Sequence, residues 1–175
     1  MSSRTKIKAG PKTVVCQEAD LRGEITIGNG RTVLHPRCRV VAEAGPIVFG
    51  ANNIIEENAV IFNKNTAPLV IGDDNVFEVG CYVEGLGIGN RNVIEARGRL
   101  IGTTTVGNNC VIGSACTTDL HEKMEDNTVI YGSDCSRRTQ EERNAAQASL
   151  HLRHLEYLRE MLPKYNHLKQ LPTDV

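Results

Sequence analysis

An apolar residue returns at every sixth position along most of this chain, and this period restricts the fold more than any other feature. A six-residue unit accommodates a short strand and a corner, and three such units close one triangular coil of about 18 residues. The strands of one coil then stack in parallel on those of the next, with the recurring apolar residues inside. The clearest of these core anchors are Leu21, Ile27, Ile55, Phe77, Ile88, Ile94, Val106 and Ile112.

The residues beside the anchors support this interpretation. Side chains alternate along a strand, so the residue two places before an anchor shares its face and should be small. Asn53, Asn75 and Cys110 occupy such positions. Glycine often follows the anchor, as at Gly50 and Gly89. We expect these glycines to adopt the positive φ that tight corners demand.

The repeat predicts an all-β fold, a parallel β-helix of about six triangular coils over residues 7–118, with a C-terminal α-helix. An ordinary βαβ sheet is excluded, because its parallel strands need connections of about a dozen or more residues. The largest break in the frame, at residues 62–69, is expected to protrude. A last strand-like segment is expected at residues 128–131.

The composition changes at Thr139, where helix formers replace glycine. We predict a helix from there to Leu162, ended by Pro163. One face of it carries a leucine stripe, which consists of Leu152, Leu155, Leu158 and Leu162. The chain therefore divides into a β-helix at 1–138 and a helix with a tail at 139–175 that packs on the β-helix. The stripe is either such an internal clasp or an interface with another protein, and both interpretations stay open.

The charge of the chain gives no sign of nucleic-acid or membrane binding. There are 20 basic and 21 acidic side chains, and the formal net charge is −1. A basic footprint for phosphates or anionic lipids is therefore missing from the composition. The first residues of the chain lack the apolar stretch of a signal peptide. No apolar run elsewhere reaches transmembrane length. We expect an intracellular protein with no nucleic-acid partner and no direct membrane insertion.

Six cysteines are spread along the chain without a C-x-x-C pair, which argues against a zinc ribbon or a thioredoxin-type motif. In a reducing compartment they should be free thiols. Four of them fall at the small inward position that other coils fill with Ala, Thr or Asn. These four are Cys38, Cys81, Cys110 and Cys116. We interpret them as small buried core residues rather than as metal ligands or redox groups.

The histidines do not form a zinc site, because catalytic zinc needs three protein ligands around an open position. Only His35 and His121 lie near the coils, and strand layers of about 4.8 Å each separate them by roughly 20 Å. His35 is expected at the surface of a corner, and His151 and His154 in solvent on the helix. No catalytic, cofactor-binding or metal residue is predicted, although His121 could act as the lone base of an acyltransferase.

Three segments go beyond the general hexapeptide pattern. They are Glu-Ala-Gly-Pro-Ile at 43–47, Phe-Glu-Val-Gly-Cys-Tyr at 77–82 and Val-Ile-Tyr-Gly at 129–132. With these segments the chain resembles the dynactin subunit 6 family over nearly its whole length. That family belongs to the pointed end of dynactin, the activator of dynein, and is related in fold to the γ-class carbonic anhydrases.

The resemblance implies a left-handed β-helix, an exception to the right-handed crossover rule, with no cofactor and no catalytic activity. It also implies a partner, dynactin subunit 5, beside the pointed-end actin-related protein and a zinc-binding pointed-end subunit. Dynein adaptors or cargo would be contacted indirectly, in microtubule-based transport. The implied location is the cytoplasm and cytoskeleton, with kinetochores in mitosis.

Two enzymatic alternatives stay open beside this structural role. Hexapeptide-repeat β-helices include acyltransferases and γ-class carbonic anhydrases, so the fold alone does not decide the function. Stoichiometric zinc with carbon dioxide hydration would favour the anhydrase. Thermal stabilisation by acetyl-coenzyme A would favour the acyltransferase.

Overall fold

The computed structural model describes residues 4–142 and 145–172. The chain is a left-handed parallel β-helix whose three sides are parallel sheets, followed by one α-helix. Each complete coil contributes one strand to each side. Strands that pair within a sheet are therefore generally three apart in chain order, as β-helix geometry requires.

The strands are short and follow one another closely. The first are β1 (Lys6–Ala9), β2 (Val14–Val15), β3 (Asp20–Arg22), β4 (Glu24–Ile27), β5 (Val33–Leu34) and β6 (Arg39–Ala42). Next come β7 (Ile47–Phe49), β8 (Ile54–Ile55), β9 (Val60–Asn63), β10 (Leu69–Ile71), β11 (Val76–Phe77) and β12 (Tyr82–Val83). The chain continues with β13 (Gly87–Ile88), β14 (Val93–Ile94), β15 (Arg99–Leu100), β16 (Thr105–Val106) and β17 (Val111–Ile112). The last elements are β18 (Lys123–Met124), β19 (Thr128–Tyr131), β20 (Ser136–Thr139) and the helix α1 (Ala145–Tyr165).

We name the three sides of the β-helix by their strands. Face A has the order β1-β4-β7-β10-β13-β16-β18. Face B has the order β2-β5-β8-β11-β14-β17-β19-β20, and face C has the order β15-β12-β9-β6-β3. Every pair is parallel except β19 with β20, which is antiparallel.

The core is a column of anchors stacked in register. On face B, Phe77 pairs with Ile94, and Ile94 pairs with Ile112. All the anchors predicted above are buried, and they belong to one continuous hydrophobic cluster. Burial of this surface is the main source of stability for the fold.

The β-helix continues one layer beyond the predicted end at residue 118. Strands β18 and β19 extend faces A and B, so the coils number about seven rather than six. Met124 and Ile130 fill the anchor positions of this layer and are 2% and 0% exposed. They pair with Val106 and Ile112. The strand expected at residues 128–131 is confirmed as β19, but β18 was not predicted, because the polar Thr118 occupies the buried position between Ile112 and Met124 and ends the apolar series.

The predicted break at residues 62–69 is smaller than expected. Strand β9 runs through to Asn63, which is 1% exposed. The Asn63 side-chain amide donates hydrogen bonds to the carbonyl oxygens of Pro46 and Ala67, both at 3.0 Å. The loop at 64–68 is therefore tied to the coil before it.

Glycine follows the anchors for a different reason than the predicted one. Gly50 and Gly89 do not have positive φ; the left-handed residues lie two positions later, at Asn52 (φ 59) and Arg91 (φ 57). Each glycine lies against the next coil instead. A Cβ on Gly50 would lie 2.9 Å from the carbonyl oxygen of Gly72. Close approach of the backbones, rather than corner conformation, excludes a side chain here.

Gly89→Ala is expected to destabilise the protein by about 1–3 kcal/mol, because overpacking forces neighbouring backbone to shift. A Cβ on Gly89 would lie 2.5 Å from both the Gly107 carbonyl oxygen and the Asn108 side-chain oxygen. Gly87→Ala is the matched control, since nothing lies within 4 Å of a Cβ there. Urea unfolding should separate the two variants, and equal midpoints would contradict the close packing of coils.

A ladder of buried asparagines runs through the core beside face B. The side-chain amides of Asn53, Asn75 and Asn92 each donate to a glycine carbonyl oxygen of the next coil, all at 2.9 Å. The side-chain oxygen of Asn75 accepts the backbone N–H of Asn92 at 2.9 Å. Because donor and acceptor are both paired, these polar residues can be buried at little cost.

The C-terminal segment differs from the predicted helix at both ends. The helix was predicted from Thr139, but Thr139 is the last residue of β20 (Ser136–Thr139), and α1 starts at Ala145. The helix also continues past Pro163 to Tyr165. Proline removes one N–H from the ladder and its ring crowds the preceding turn. The next turn still closes, since the Asn166 N–H bonds to the Leu162 carbonyl oxygen at 2.9 Å.

Candidate interaction site

The helix α1 packs its apolar face on face B. Leu155 and Leu158 are 0% and 7% exposed, and Leu162 is partly buried beside them. Their partners form a small cluster separate from the main core. It contains Val14, Val33 and Ile54, with Val76 partly buried. In this structure the leucines therefore cover the outside of the β-helix.

Leu152 does not belong to the inward face, contrary to the predicted stripe. It is 43% exposed, and His151 takes its place at 6% exposed. Residues 151, 155, 158 and 162 are spaced i, i+4, i+7 and i+11, which places them on one face of a helix. The predicted exposure of His151 is also wrong, because its Nε2 lies 2.7 Å from the carbonyl oxygen of Asn52. The Asp74 carboxylate is 3.8 Å away.

The tail after α1 pairs with the first strand of face B. The backbone N–H of Gln17 donates to the His167 carbonyl oxygen at 2.7 Å, and the N–H of Lys169 donates to the Val15 carbonyl oxygen at 2.8 Å. Leu168 and Cys16 form an antiparallel bridge. The free edge of β2 is thereby covered.

The two ends of face B are therefore both closed by the C-terminal segment. Strand β20 pairs with β19 at one end, and the tail at 167–169 pairs with β2 at the other. We call β20, α1 and residues 167–169 the brace. Exposed strand edges invite pairing with other chains, so the brace protects face B. Within the described residues, the outer edges of β1 and β18 on face A have no paired strand.

The side of α1 next to its packed face carries further apolar residues. We call this the outer flank; its members are Leu150, Tyr157, Met161 and Tyr165. Leu150, Tyr157 and Tyr165 are 63%, 56% and 77% exposed. Their spacing of i, i+7 and i+15 keeps them on one side of the helix. An exposed apolar row of this kind is typical of interaction surfaces.

The structure does not bring the predicted histidines together. His35 follows β5 and His121 precedes β18, so several strand layers separate them. The Nδ1 of His121 is hydrogen-bonded to the Thr103 hydroxyl. Among residues 4–142 and 145–172, no group of three or more His, Cys, Asp or Glu side chains is placed to hold a metal ion.

The inward cysteines are buried thiols. Burial raises the pKa of the inward Cys38 to about 12, and it raises that of Cys16, which lies outside the main core beside the C-terminal tail, to about 11. The pKa of Cys81 is also raised by burial, with the carboxylates of Glu56 and Glu78 adding to the effect. The thiolate is the reactive form of cysteine, so these side chains are inert at neutral pH.

His35 is half-buried beside α1 rather than fully exposed at a corner. Its Nε2 has no hydrogen-bond partner in the described part of the chain. Burial lowers the pKa of His35, with Glu57 acting in the opposite direction and His154 on α1 lowering it further. A charged His35 is therefore unfavourable beneath the helix.

We expect His35 to make the folded state less stable in mild acid. Its pKa is lower when folded, so the unfolded chain binds the proton first as pH falls below the usual value of about 6.5. Stability is then lost as pH drops through this range. Glu56 and Glu78, whose pKa values are raised by burial, act in the opposite direction.

The contribution of His35 is isolated by comparing variants. Urea unfolding between pH 7.5 and 5 should show that His35→Gln loses less stability on acidification than the parent protein. The carboxylates are common to both proteins and cancel in this difference. His121→Gln is the control, because His121 is exposed. Identical pH curves for His35→Gln and the parent would contradict the burial of His35.

The described residues include no helix with the length and apolar character needed to span a membrane. No family model matches the chain. Among solved structures, it is similar to a hexapeptide transferase family protein from Anaplasma phagocytophilum, with a TM-score of 0.61 and 11% identity over 92% of this chain and 93% of that one. A putative acetyltransferase from Bacillus cereus gives a TM-score of 0.54 with 13% identity over 90% and 94%. At these identities the likeness shows the fold alone.

Several related sequences are far more similar to this chain than those solved structures are. Dynactin subunit 6 of Xenopus tropicalis is 43% identical, covering 97% of this chain and 87% of the relative. Dynactin subunit 6 of Danio rerio is 46% identical, covering 94% and 87%. The protein of the same name from Dictyostelium discoideum is 37% identical, covering 92% and 87%. Identity of this extent along nearly the whole length shows that the chain belongs to the dynactin subunit 6 family.

Proposed function

We propose that the chain is a non-catalytic structural subunit of the dynactin pointed-end complex. In this role it pairs with dynactin subunit 5 and supports the attachment of cargo to dynein and dynactin along microtubules. The observation that carries the proposal is the match to relatives named dynactin subunit 6 over more than nine-tenths of the chain. Location in the cytoplasm with the cytoskeleton, and at kinetochores in mitosis, is part of the same proposal.

The surface of the molecule suits an assembly role. The brace covers face B, whereas the outer edges of β1 and β18 on face A have no paired strand in the described part of the chain. A second β-helix can dock on or beside such coils and extend the buried apolar surface. The outer flank of α1 offers a further apolar contact area.

The pairing is tested by co-expression with dynactin subunit 5. Gel filtration with light scattering should show a stable 1:1 heterodimer at micromolar concentration. Two independent monodisperse monomers would contradict the pairing. The variant Leu150→Asp with Tyr157→Asp tests whether the outer flank contributes, because both side chains are exposed and the fold should tolerate the change.

The absence of catalysis is tested on the same purified protein. We expect less than stoichiometric zinc, no carbon dioxide hydration above background and no thermal stabilisation by acetyl-coenzyme A. Stoichiometric zinc with turnover would replace the proposal by a γ-carbonic-anhydrase-like function. Stabilisation by acetyl-coenzyme A that is lost in His121→Ala would replace it by an acyltransferase function.

A further inference from the structure

The outer edge of β1 is an open strand edge at the N-terminal end of face A. The N–H groups of Lys6 and Gly10 donate to the carbonyl oxygens of Gly23 and Ile27 on the adjacent coil, at 2.9 and 3.0 Å. Backbone groups alternate along a strand, so those of Ile7 point to the other side. No described residue pairs with that side. Unlike β2, β1 is not covered by the tail.

The same edge carries more basic than acidic side chains, although Glu24 of β4 lies in register with Lys6. Arg4, Lys6, Lys8 and Lys12 are all exposed, and none of them forms an ion pair with a described residue. They fall within nine positions of the sequence, on and around one strand. The side chains of Lys6 and Lys8 are on the outward side of β1, and Ile7 points toward the core.

The opposite end of the β-helix is richer in acidic residues, and some of these have partners. Arg137 binds the Glu122 carboxylate with two hydrogen bonds of 2.7 Å. The Asp126 carboxylate accepts the backbone N–H of Asn108 at 2.8 Å. The four basic side chains on and around β1 therefore lack the ion pair that holds Glu122 at the other end. Strand β20 also lies across face B at the acidic end, which obstructs end-to-end stacking of a second copy.

We propose that the outer edge of β1 is a docking site for an acidic extended strand of another protein, which adds to face A by main-chain hydrogen bonds. Carboxylates of that strand lie opposite Lys6 and Lys8, and its alternate apolar side chains cover Ile7. Affinity comes from the backbone pairing and selectivity from the charges. The same lysines disfavour a second copy of β1, because lysine would then face lysine. The proposal does not depend on the pointed-end placement above.

The test is a titration of the full chain into fluorescein-labelled peptides followed by anisotropy. The first probe is an octapeptide of alternating Glu and Val, and the second is an octapeptide of alternating Lys and Val. The third is the Glu-Val peptide with alternate backbone nitrogens methylated, which keeps the charge but cannot form the ladder. We expect saturable binding of the first probe and at least about tenfold weaker binding of the other two.

Variants of the chain locate the site. Lys6→Glu with Lys8→Glu should weaken binding of the Glu-Val peptide at least about tenfold. Lys123→Glu with Arg138→Glu is the matched control, because these exposed cations lie on β18 and β20, at the opposite end of the β-helix, and should leave binding unchanged. Thermal melts check that both double variants are folded.

Binding should also protect the amide of Ile7 from hydrogen exchange. The proposal is overturned if no probe binds up to millimolar concentration, or if the methylated peptide binds as well as the parent peptide. Equal weakening by both double variants would also overturn it, since the effect would then be unspecific charge. Concentration-dependent self-association that is abolished by Lys6→Glu with Lys8→Glu would identify a second copy as the occupant instead.

Discussion

Ile94→Asp is expected to cost more than about 4 kcal/mol and to leave the protein largely unfolded at room temperature. Ile94 is 1% exposed and is stacked between Phe77 and Ile112. In the described part of the chain, the core cluster around Ile94 consists of hydrophobic side chains. A carboxylate at this point is therefore buried unpaired, or the coil opens. Ile112→Asp, one coil further along, should behave in the same way.

The matched control changes a residue on the neighbouring outer surface. Arg97 is exposed, and Arg97→Asp should shift stability by less than about 0.5 kcal/mol. Its φ of 58 lies in the left-handed region, which Asp tolerates well. Circular dichroism during thermal and urea unfolding measures both variants. An Ile94→Asp variant that melts like the parent protein would show that the register of the coils is wrong.

Leu155→Asp with Leu158→Asp is expected to release α1 from face B at a cost of about 3–5 kcal/mol. Both side chains are buried against Val14, Val33 and Ile54. The charged helix should detach rather than bury two carboxylates, and the tail at 167–169 should detach with it. Hydrogen exchange should then rise in 145–172 and at Gln17, whose N–H bonds to the tail. The main core should remain protected.

Leu152→Asp is the control, because this side chain is 43% exposed and does not belong to the outer flank. It should leave stability within about 0.5 kcal/mol of the parent value. Measuring partner binding in both variants decides the role of the helix. Loss of stability with binding retained identifies α1 as an internal clasp. If Leu155→Asp with Leu158→Asp abolished partner binding at unchanged stability, α1 would be the interface itself. This result would contradict its packing on face B.

The period of six was sufficient to predict the faces and the core. Ile94 and Ile112 are one coil apart in the sequence pattern and are paired in the structure. In the last layer, β19 was predicted but β18 was missed, although Met124 lies 18 residues after Val106, one coil length later, and pairs with it. The step of six continues through Thr118, but this buried position is polar, so the apolar series ends one coil early.

The contacts of the brace could not be predicted from local sequence patterns. Both Leu152 and His151 fit a helical spacing with Leu155, and only the position of Asn52 on a distant coil selects His151. The bridge between Cys16 and Leu168 joins segments from opposite ends of the chain. No local pattern marks such a pair. The glycines after the anchors were recognised, but their cause is contact with the next coil, which a single repeat does not contain.

The central claim is that the chain is a structural subunit of dynactin, and its stoichiometry in the assembled complex tests this most directly. The tagged chain is expressed in cells depleted of their own dynactin subunit 6, and complexes are isolated by affinity purification and quantified by mass spectrometry. We predict co-purification of dynactin with one copy of the chain for each copy of dynactin subunit 5. Recovery of the folded chain without dynactin subunits would contradict the account.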